Sequence, residues 1–305
     1  MFILNPDIYS LPSYGIGPFT TSDIKLHAAL PQSNRIDEYF NTRFDSNNFL
    51  YTENGRKAIN LALSYYDLGP KDVVTILTTS GNFYISGCVT KEIENFCSWS
   101  RKMEANTKLI FVNHEFGYPY PGLRDLKKYN LPLIEDCANT FFSIDEDNSI
   151  GTVGDFVIYS FPKIFPIQVG GLVKSNLPHY RAEYYLEPEL KQYIKNVLSK
   201  YIPEEDMIKQ KRIHNYAYLQ KRFSSLGFNT RFELCENIVP GVFMFRADNE
   251  KTDLPLLKKH FYAHGIQCSV FYGERSFFIP CHQNLDEADL DYFAVVMQAF
   301  IKNNN

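Results

Sequence analysis

The sequence lacks several patterns that would assign it to common protein classes. Its six cysteines form no C-x-x-C pair, and its seven histidines show no spacing of the H-E-x-x-H kind, so no metal site is predicted. No predicted strand is followed by G-x-G-x-x-G, which argues against a dinucleotide-binding oxidoreductase. No run approaches 18 apolar residues, and the first 15 residues lack a basic region, so neither a membrane helix nor a signal peptide is predicted.

The chain also has little excess charge of either sign. It carries 31 Lys and Arg against 35 Asp and Glu, a net charge of −4, and these charges are spread along the sequence. Nucleic-acid binding is therefore not expected. The scattered cysteines are typical of reduced thiols in a cytoplasmic protein. With 305 residues, of which 45% are hydrophobic, the chain can form one large globular domain or two smaller ones.

The pattern of apolar residues divides the chain into three parts. Residues 1–50 are rich in Pro, Ser and Asn and predict an irregular N-terminal arm with room for one helix. Residues 51–180 alternate short apolar runs with helical stretches, which favours a large α/β domain with a mostly parallel sheet between helices. Residues 181–305 predict linking helices and a smaller C-terminal α+β domain.

Particular stretches carry this interpretation. The stretch "YISGCVTKEIENFCSWSR" is predicted as one helix, and "PGLRDLKKYN" as a short one. The predicted strands of the large domain are DVVTIL, KLIFVNH, LPLIEDCA, DFVIYSF and GGLVKSN. In the C-terminal part, PGVFMFR and IQCSVFYG are predicted strands.

Lys163 is the first candidate for chemistry. It stands in "YSFPKIFPIQVGGLV", an apolar run that ends in two glycines and places no acidic residue beside it. Burial among Phe161, Ile164 and Phe165 would disfavour the charged form of the amine and free it as a nucleophile. The alternative is a solvated surface lysine, which is the commoner role of a lysine in such a loop.

Four other residues, at three places in the sequence, could bind parts of a ligand. Asp136 ends an apolar strand, where open α/β sheets bind ligands, and it could hold a cationic ring nitrogen or simply cap the next segment. Gly55 and Arg56 open a helix whose free N–H groups suit a phosphate. Ser160 could add a hydroxyl donor, or be an ordinary small residue at a strand end. Pyridoxal phosphate requires such a set: an amine, an acid partner and phosphate donors.

Five stretches, in order, resemble the DegT/DnrJ/StrS family of pyridoxal-phosphate-dependent sugar aminotransferases, of aspartate-aminotransferase-like fold type I. The stretch "GRKAINLALSYYDLGPKDVVTIL" is similar to the family's S-G-T-x-A-L…L-G-I-G-P-G-D-E-V opening, and "FVNHEFGYP" to its V-H-x-x-G turn. The stretch "LPLIEDCANTF" resembles V-I-E-D-A-A-Q, "IGTVGDFVIYSFPK…GG" resembles G-x-x-G-D…S-F…K…G-G, and "FFIPCHQNLDEADLDYF" resembles the L-P-x-H-x-x-L segment. The chain is identified as a short, divergent member.

The resemblance implies roles around the cofactor ring. Lys163 would form the Schiff base and then carry a proton between the substrate carbon and the cofactor. Asp136 would pair with the pyridinium nitrogen, and Asn139, where the family usually has Gln, would contact the ring hydroxyl. His114 matches a family position too, and a structural role is the expectation for it.

The resemblance also implies a phosphate site and a stacking residue. Gly55 and Arg56 would present backbone N–H groups to the phosphate, and Ser160 would present its hydroxyl. An aromatic residue before the next helix usually stacks on the cofactor ring. In "TTSGNFYISGCV" that residue is Phe83 or Tyr84, and the alignment does not decide between them.

The function implied is the transfer of an amino group, with glutamate as the expected donor, to a keto-sugar. The acceptor is expected to be nucleotide-linked and destined for a surface polysaccharide such as O-antigen, and the enzyme to be a cytoplasmic homodimer. The family's partner-subunit loop, G-x-N-x-R, has no clear counterpart between residues 176 and 215. A degenerate member that binds a ligand or regulates is therefore an alternative. A dehydratase is disfavoured, because such relatives replace the lysine with histidine.

Overall fold

The computed structural model describes residues 13–45, 48–178, 180, 184–248 and 252–304. Residues 1–12 and 46–47 of the predicted N-terminal arm lie outside these ranges. The rest of the arm contains two helices rather than one, α1 (Ser22–Ala28) and α2 (Arg35–Phe44). Helix α2 buries Ile36 and Phe40 in the apolar cluster that also contains Phe161 and Phe165. The arm therefore packs against the segment that carries Lys163.

A seven-stranded sheet forms the centre of the large unit. Its strands are β1 (Phe49–Thr52), β2 (Val73–Thr78), β3 (Ser98–Ser100), β4 (Thr107–Asn113), β5 (Leu133–Asp136), β6 (Phe156–Ser160) and β7 (Gly171–Ser175). They lie in the order β1-β7-β6-β5-β4-β2-β3. Strands β2 to β6 are parallel to one another, whereas β7 runs antiparallel to both β6 and β1. The predicted mostly parallel sheet is confirmed.

Two helices follow β1 and β2 in the chain, and one of them differs from the prediction. Helix α3 (Gly55–Ser64) buries one apolar face on β6 and β7, as its residue spacing predicts. Helix α4 (Gly87–Glu94) ends well before the predicted end. The prediction that residues 98–100 are helical is wrong, because they form edge strand β3, which pairs with β2. Pairing with a buried strand outweighs local helix propensity there. "LRDLKKY" forms a 3-10 helix, Leu123–Tyr129.

The C-terminal part combines helices with a small sheet. Helix α5 (Pro188–Tyr201), a 3-10 turn (Ile202–Glu204) and helix α6 (Glu205–Ser224) occupy the long charged stretch. They are followed by β8 (Phe243–Arg246), α7 (Leu254–Ala263), β9 (Ser269–Phe271), β10 (Ser276–Ile279) and α8 (Glu287–Asn304). The sheet is antiparallel, in the order β8-β10-β9, and β10 was not predicted. The domain boundaries stay predictions. Among the described helices, none combines the length and apolar character needed to span a bilayer.

The topology brings several polar side chains to one edge of the large sheet. Strands β4, β5 and β6 are parallel neighbours, so their carboxyl ends meet at the same edge. Asn113 and Asp136 end β4 and β5 and are paired in register. Ser160 ends β6, beside the beginning of α3. Open α/β sheets bind their ligands at this edge.

Candidate functional site

A cavity of about 480 Å³ opens at this edge, between the large sheet and the small one. Of the eight residues singled out from the sequence, seven line it: Gly55, Arg56, Tyr84, Asp136, Asn139, Ser160 and Lys163. Phe83 is not part of the lining, and 69% of its side chain is exposed. The cavity therefore brings together residues that span more than a hundred positions of the chain.

Lys163 lies on a 3-10 turn, Phe161–Lys163, between β6 and β7. The expectation that Lys163 is buried is wrong: it is exposed at the cavity. Its neighbours Phe161, Ile164 and Phe165 are buried, with at most 1% exposed. The turn sends these three apolar side chains into the core, and the flexible amine remains outside it. The lysine can therefore meet a ligand in the cavity without crossing packed side chains.

The main chain at Lys163 is held by hydrogen bonds from the C-terminal part of the chain. Arg212, in the middle of α6 and fully buried, donates from Nη2 to the Lys163 carbonyl oxygen at 3.0 Å. Its Nε donates to Gln283 Oε1 at 2.8 Å, and Gln283 Nε2 donates to the Ile164 carbonyl oxygen at 2.8 Å. Burial lowers the pKa of Arg212 to about 10. These two side chains hold the main chain of the turn in place.

Asp136 is a buried carboxylate with a small set of partners. It is 5% exposed and accepts hydrogen bonds from Asn113 Nδ2 at 2.7 Å and from the Ala138 N–H at 3.0 Å. Burial raises its pKa, whereas these hydrogen bonds and the nearby His114 and Lys163 act in the opposite direction. No salt bridge to Asp136 is formed by the described residues. A cation placed beside it would offset the cost of its burial.

His114 supports the same strand end and has a structural environment, as expected. Its Nδ1 accepts from the Tyr120 N–H at 2.9 Å, so Nε2 carries the proton and points to Glu135 Oε2 at 3.3 Å. Glu135 also accepts three backbone N–H groups, those of residues 151, 153 and 154. Both ring nitrogens of His114 are thus used within the fold. These contacts hold Glu135, the residue of β5 that precedes Asp136, in place.

The beginning of α3 forms a cradle with Ser160. Asn54 caps the helix by accepting the Lys57 N–H at 3.0 Å, which leaves the N–H groups of Gly55 and Arg56 without a partner inside the helix. A Cβ atom at Gly55 would lie 3.0 Å from Ser160 Cβ and 3.3 Å from its Oγ. A side chain at position 55 would crowd the serine, so glycine suits this close approach of the helix end to the hydroxyl. Free N–H groups, a hydroxyl and the positive helix end together suit a phosphate.

The two aromatic candidates for stacking occupy different places. Tyr84 is half-buried at the cavity, and its ring packs at 6.1 Å from the Phe271 ring and 5.6 Å from the Tyr272 ring. Phe83 is not part of the lining and is largely exposed. Of the two, only Tyr84 lies where it could contact a ligand in the cavity.

Sequence reasoning missed several residues of this cavity. Asn113 ends a predicted strand, so the argument that selected Asp136 could also have found it. Glu115 follows two positions later, and its Oε1 is buried with no partner among the described residues. Lys258, Gln267 and Ser269 come from the C-terminal part. No local motif marks these three, because only the packing of the small sheet brings them to the site.

The sequence is also similar to that of known proteins. The sequence model of the DegT/DnrJ/EryC1/StrS aminotransferase family matches residues 98–184. The resemblance of the sequence to this family is confirmed over this segment. A dTDP-3-amino-3,6-dideoxy-alpha-D-galactopyranose transaminase from Aneurinibacillus thermoaerophilus is 30% identical over 125 residues, which are 35% of this chain and 34% of that protein. The aligned part thus spans about a third of the length of this curated relative.

Solved structures share the fold over nearly the whole chain. The aminotransferase TlmJ from Streptoalloteichus hindustanus is similar at a TM-score of 0.75 with 15% identity, covering 95% of this chain and 99% of that one. The PLP form of Spr1654 from Streptococcus pneumoniae is similar at 0.71 with 14% identity, covering 97% and 100%. A DegT DnrJ EryC1 StrS aminotransferase from Brucella abortus is similar at 0.68 with 14% identity, covering 92% and 93%. The predicted fold class is confirmed.

Proposed function

We propose that this chain is a pyridoxal-phosphate-dependent aminotransferase in which Lys163 is the catalytic residue. The observation that carries the proposal is the composition of one cavity. An accessible amine, a buried carboxylate and a phosphate cradle come from a turn, a strand end and a helix end, and all face the same space. The family match covers the segment that contains both Asp136 and Lys163.

The residues of the cavity fit the cofactor. Asp136 is a buried carboxylate whose pKa is raised by burial. None of the described residues forms an ion pair with it, and a protonated ring nitrogen of the cofactor would supply that cation. Gly55, Arg56 and Ser160 would hold the phosphate, since glycine at position 55 keeps the helix end open toward the hydroxyl. Asn139 would contact the ring hydroxyl, and Tyr84 would stack on the ring.

Each protein group has a separate task in the proposed reaction. When bound, pyridoxal phosphate supplies an electron sink for the substrate carbon that gives up a proton. The Nζ atom of Lys163 would hold the cofactor and, once released by the incoming amine, take up and return that proton. Asn113 would keep the Asp136 carboxylate oriented, through the 2.7 Å hydrogen bond between them. Arg212 and Gln283 would position the Lys163 turn.

The substrates are proposed from the resemblance and from the relative's name. The curated relative is a transaminase of a dTDP-linked amino sugar, which supports a nucleotide-linked keto-sugar as the acceptor here. Glutamate is the proposed donor, and a role in surface polysaccharide synthesis, a cytoplasmic location and a homodimer are proposed with it. They rest on the same resemblance.

Spectroscopy tests the proposal and its alternative together. Purified protein is mixed with pyridoxal phosphate, and its visible absorbance is followed before and after L-glutamate and other L-amino acids are added. We expect a lysine-linked absorbance band that an amino acid bleaches while the matching 2-oxo acid appears. The Lys163→Ala protein should show neither change. A band that no amino acid bleaches would favour the degenerate, ligand-binding alternative, and no band at all would overturn the cofactor assignment.

A further inference from the structure

The cavity continues beyond the predicted cofactor residues to a wall built by the C-terminal part. Lys258 projects from α7, and its Nζ lies 3.3 Å from Ser269 Oγ at the beginning of β9. Lys258 is half-buried at the cavity, and Gln267 stands beside β9 in the same wall. We call these three residues the far wall. Neither the sequence motifs nor the family resemblance gave any of them a role.

The far wall is rich in hydrogen-bond donors and has no acid to neutralise them. The two carboxylates that line the cavity, Asp136 and Glu115, both come from the large sheet side. Lys258 forms no ion pair with any described residue. The side-chain oxygen Oε1 of Gln267 already accepts the Ile16 N–H at 2.7 Å, which leaves the side-chain nitrogen Nε2 to donate. An ammonium, a hydroxyl and an amide in one wall favour an anion.

The position of Lys258 is fixed by its surroundings. Cys268 Sγ contacts the Lys258 carbonyl oxygen at 3.7 Å, which ties α7 to the segment that leads into β9. The Lys258 ammonium also lies 5.9 Å from the centre of the Tyr262 ring, on the next turn of the helix. Lys259, its neighbour in sequence, is exposed and does not line the cavity. The two lysines thus share a helix and a charge but not a location.

We propose that Lys258, with Ser269, binds an anionic group of the substrate, a phosphate or a carboxylate. This inference rests on the proposed function, because it takes the cavity as the place where the substrate reacts. A lysine acts as a point charge for either anion. Because Lys258, Ser269 and Lys163 line the same cavity, an anion held at the far wall leaves the rest of the substrate within the space that Lys163 faces.

Equilibrium binding distinguishes the two sources of the anion. Two probes are titrated into the pyridoxal-phosphate-loaded protein: dTDP supplies a diphosphate, and 2-oxoglutarate supplies carboxylates. For Lys258→Ala we expect the dissociation constant of one probe to rise about tenfold or more at low salt, because a charge-assisted hydrogen bond is lost. Lys258→Arg should retain most of the affinity, and Lys259→Ala should bind as the unmodified protein does. The affected probe identifies the anion as phosphate or carboxylate.

The proposal fails if neither probe binds the unmodified protein, if Lys258→Ala binds both unchanged, or if Lys259→Ala weakens binding equally. Its failure can be told apart from that of the proposed function. The Lys258→Ala protein should still develop the Lys163-dependent absorbance band with pyridoxal phosphate. If the unmodified protein shows no such band, the proposed function falls, and titration of dTDP and 2-oxoglutarate into the cofactor-free protein still tests the far wall.

Discussion

Replacing Asp136 with asparagine should have opposite effects on cofactor affinity and on the stability of the cofactor-free protein. The substitution keeps the size of the side chain. It also keeps an oxygen that can accept the Ala138 N–H, which donates to Asp136 at 3.0 Å in the unmodified protein. Asn113, now 2.7 Å from the carboxylate, can turn its own amide to suit the new side chain. The main change is therefore the loss of one buried negative charge.

The loss of that charge should weaken pyridoxal phosphate binding. A hydrogen bond between charged partners contributes about 1.5–3 kcal/mol, so we expect the dissociation constant to rise about 10- to 150-fold in Asp136→Asn. Asp136 is only 5% exposed, which limits screening by solvent and favours the upper part of this range. Titration of cofactor-free protein with pyridoxal phosphate, followed by absorbance, measures the change.

The effect on stability should have the opposite sign. Burial raises the pKa of Asp136 above its ordinary value of 3.8, so the unfolded chain gives up this proton at a lower pH than the folded chain does. The stability contributed by the protonated group is present below pH 3.8 and is lost as pH rises through the folded pKa. The cofactor-free Asp136→Asn protein should therefore melt at an equal or higher temperature than the unmodified protein at pH 7. Unchanged cofactor affinity together with a lower melting temperature would show that the Asp136 charge does not bind the cofactor.

Three further predictions follow from the geometry of the cavity and its supports. Gly55→Ala should weaken binding of pyridoxal phosphate more than binding of pyridoxal, because the added Cβ would crowd the phosphate cradle. Gly87 is also the first residue of a helix, but a Cβ added there would have no atom within 4 Å, so Gly87→Ala should bind both compounds normally in the same titration. Tyr84→Ala should weaken cofactor binding about 2- to 12-fold through lost ring stacking, and Phe83→Ala should leave it unchanged. Burial lowers the pKa of His282 to about 3, so as pH falls the unfolded chain binds a proton at a higher pH than the folded chain does. Denaturant unfolding should therefore show the free energy of unfolding falling by up to about 1.4 kcal/mol per pH unit below pH 6.5. The slope should be shallower in His282→Gln.

The sequence predicts the strands of the large sheet where apolar runs are continuous. Strands β2, β4, β5, β6 and β7 all coincide with predicted runs, because a strand buried on both faces needs apolar residues along its whole length. Strands β1, β3 and β10 were missed. They are only three or four residues long and form by pairing with a neighbour already in place. The equally short strands β5, β8 and β9 lie within longer apolar runs, which is why the sequence pattern predicts those and not the other three.

The candidate site was predictable where its residues end elements of regular structure. Asp136 and Ser160 end strands and Gly55 begins a helix, and parallel topology brings such ends together. The burial of Lys163 was mispredicted, because apolar neighbours in sequence do not surround a side chain when a 3-10 turn directs them to the opposite side. The far wall and Arg212 could not be predicted, since they reach the site only through packing of the C-terminal part.

Reduction with borohydride in the presence of pyridoxal phosphate shows directly which amine of the protein binds the cofactor. Hydride fixes the cofactor to the amine that holds it, and mass analysis of the digested protein then identifies the modified residue. We expect one phosphopyridoxyl group per chain, located on Lys163, and none on the Lys163→Ala protein. Modification of another lysine, or equal labelling of the two proteins, would contradict this expectation.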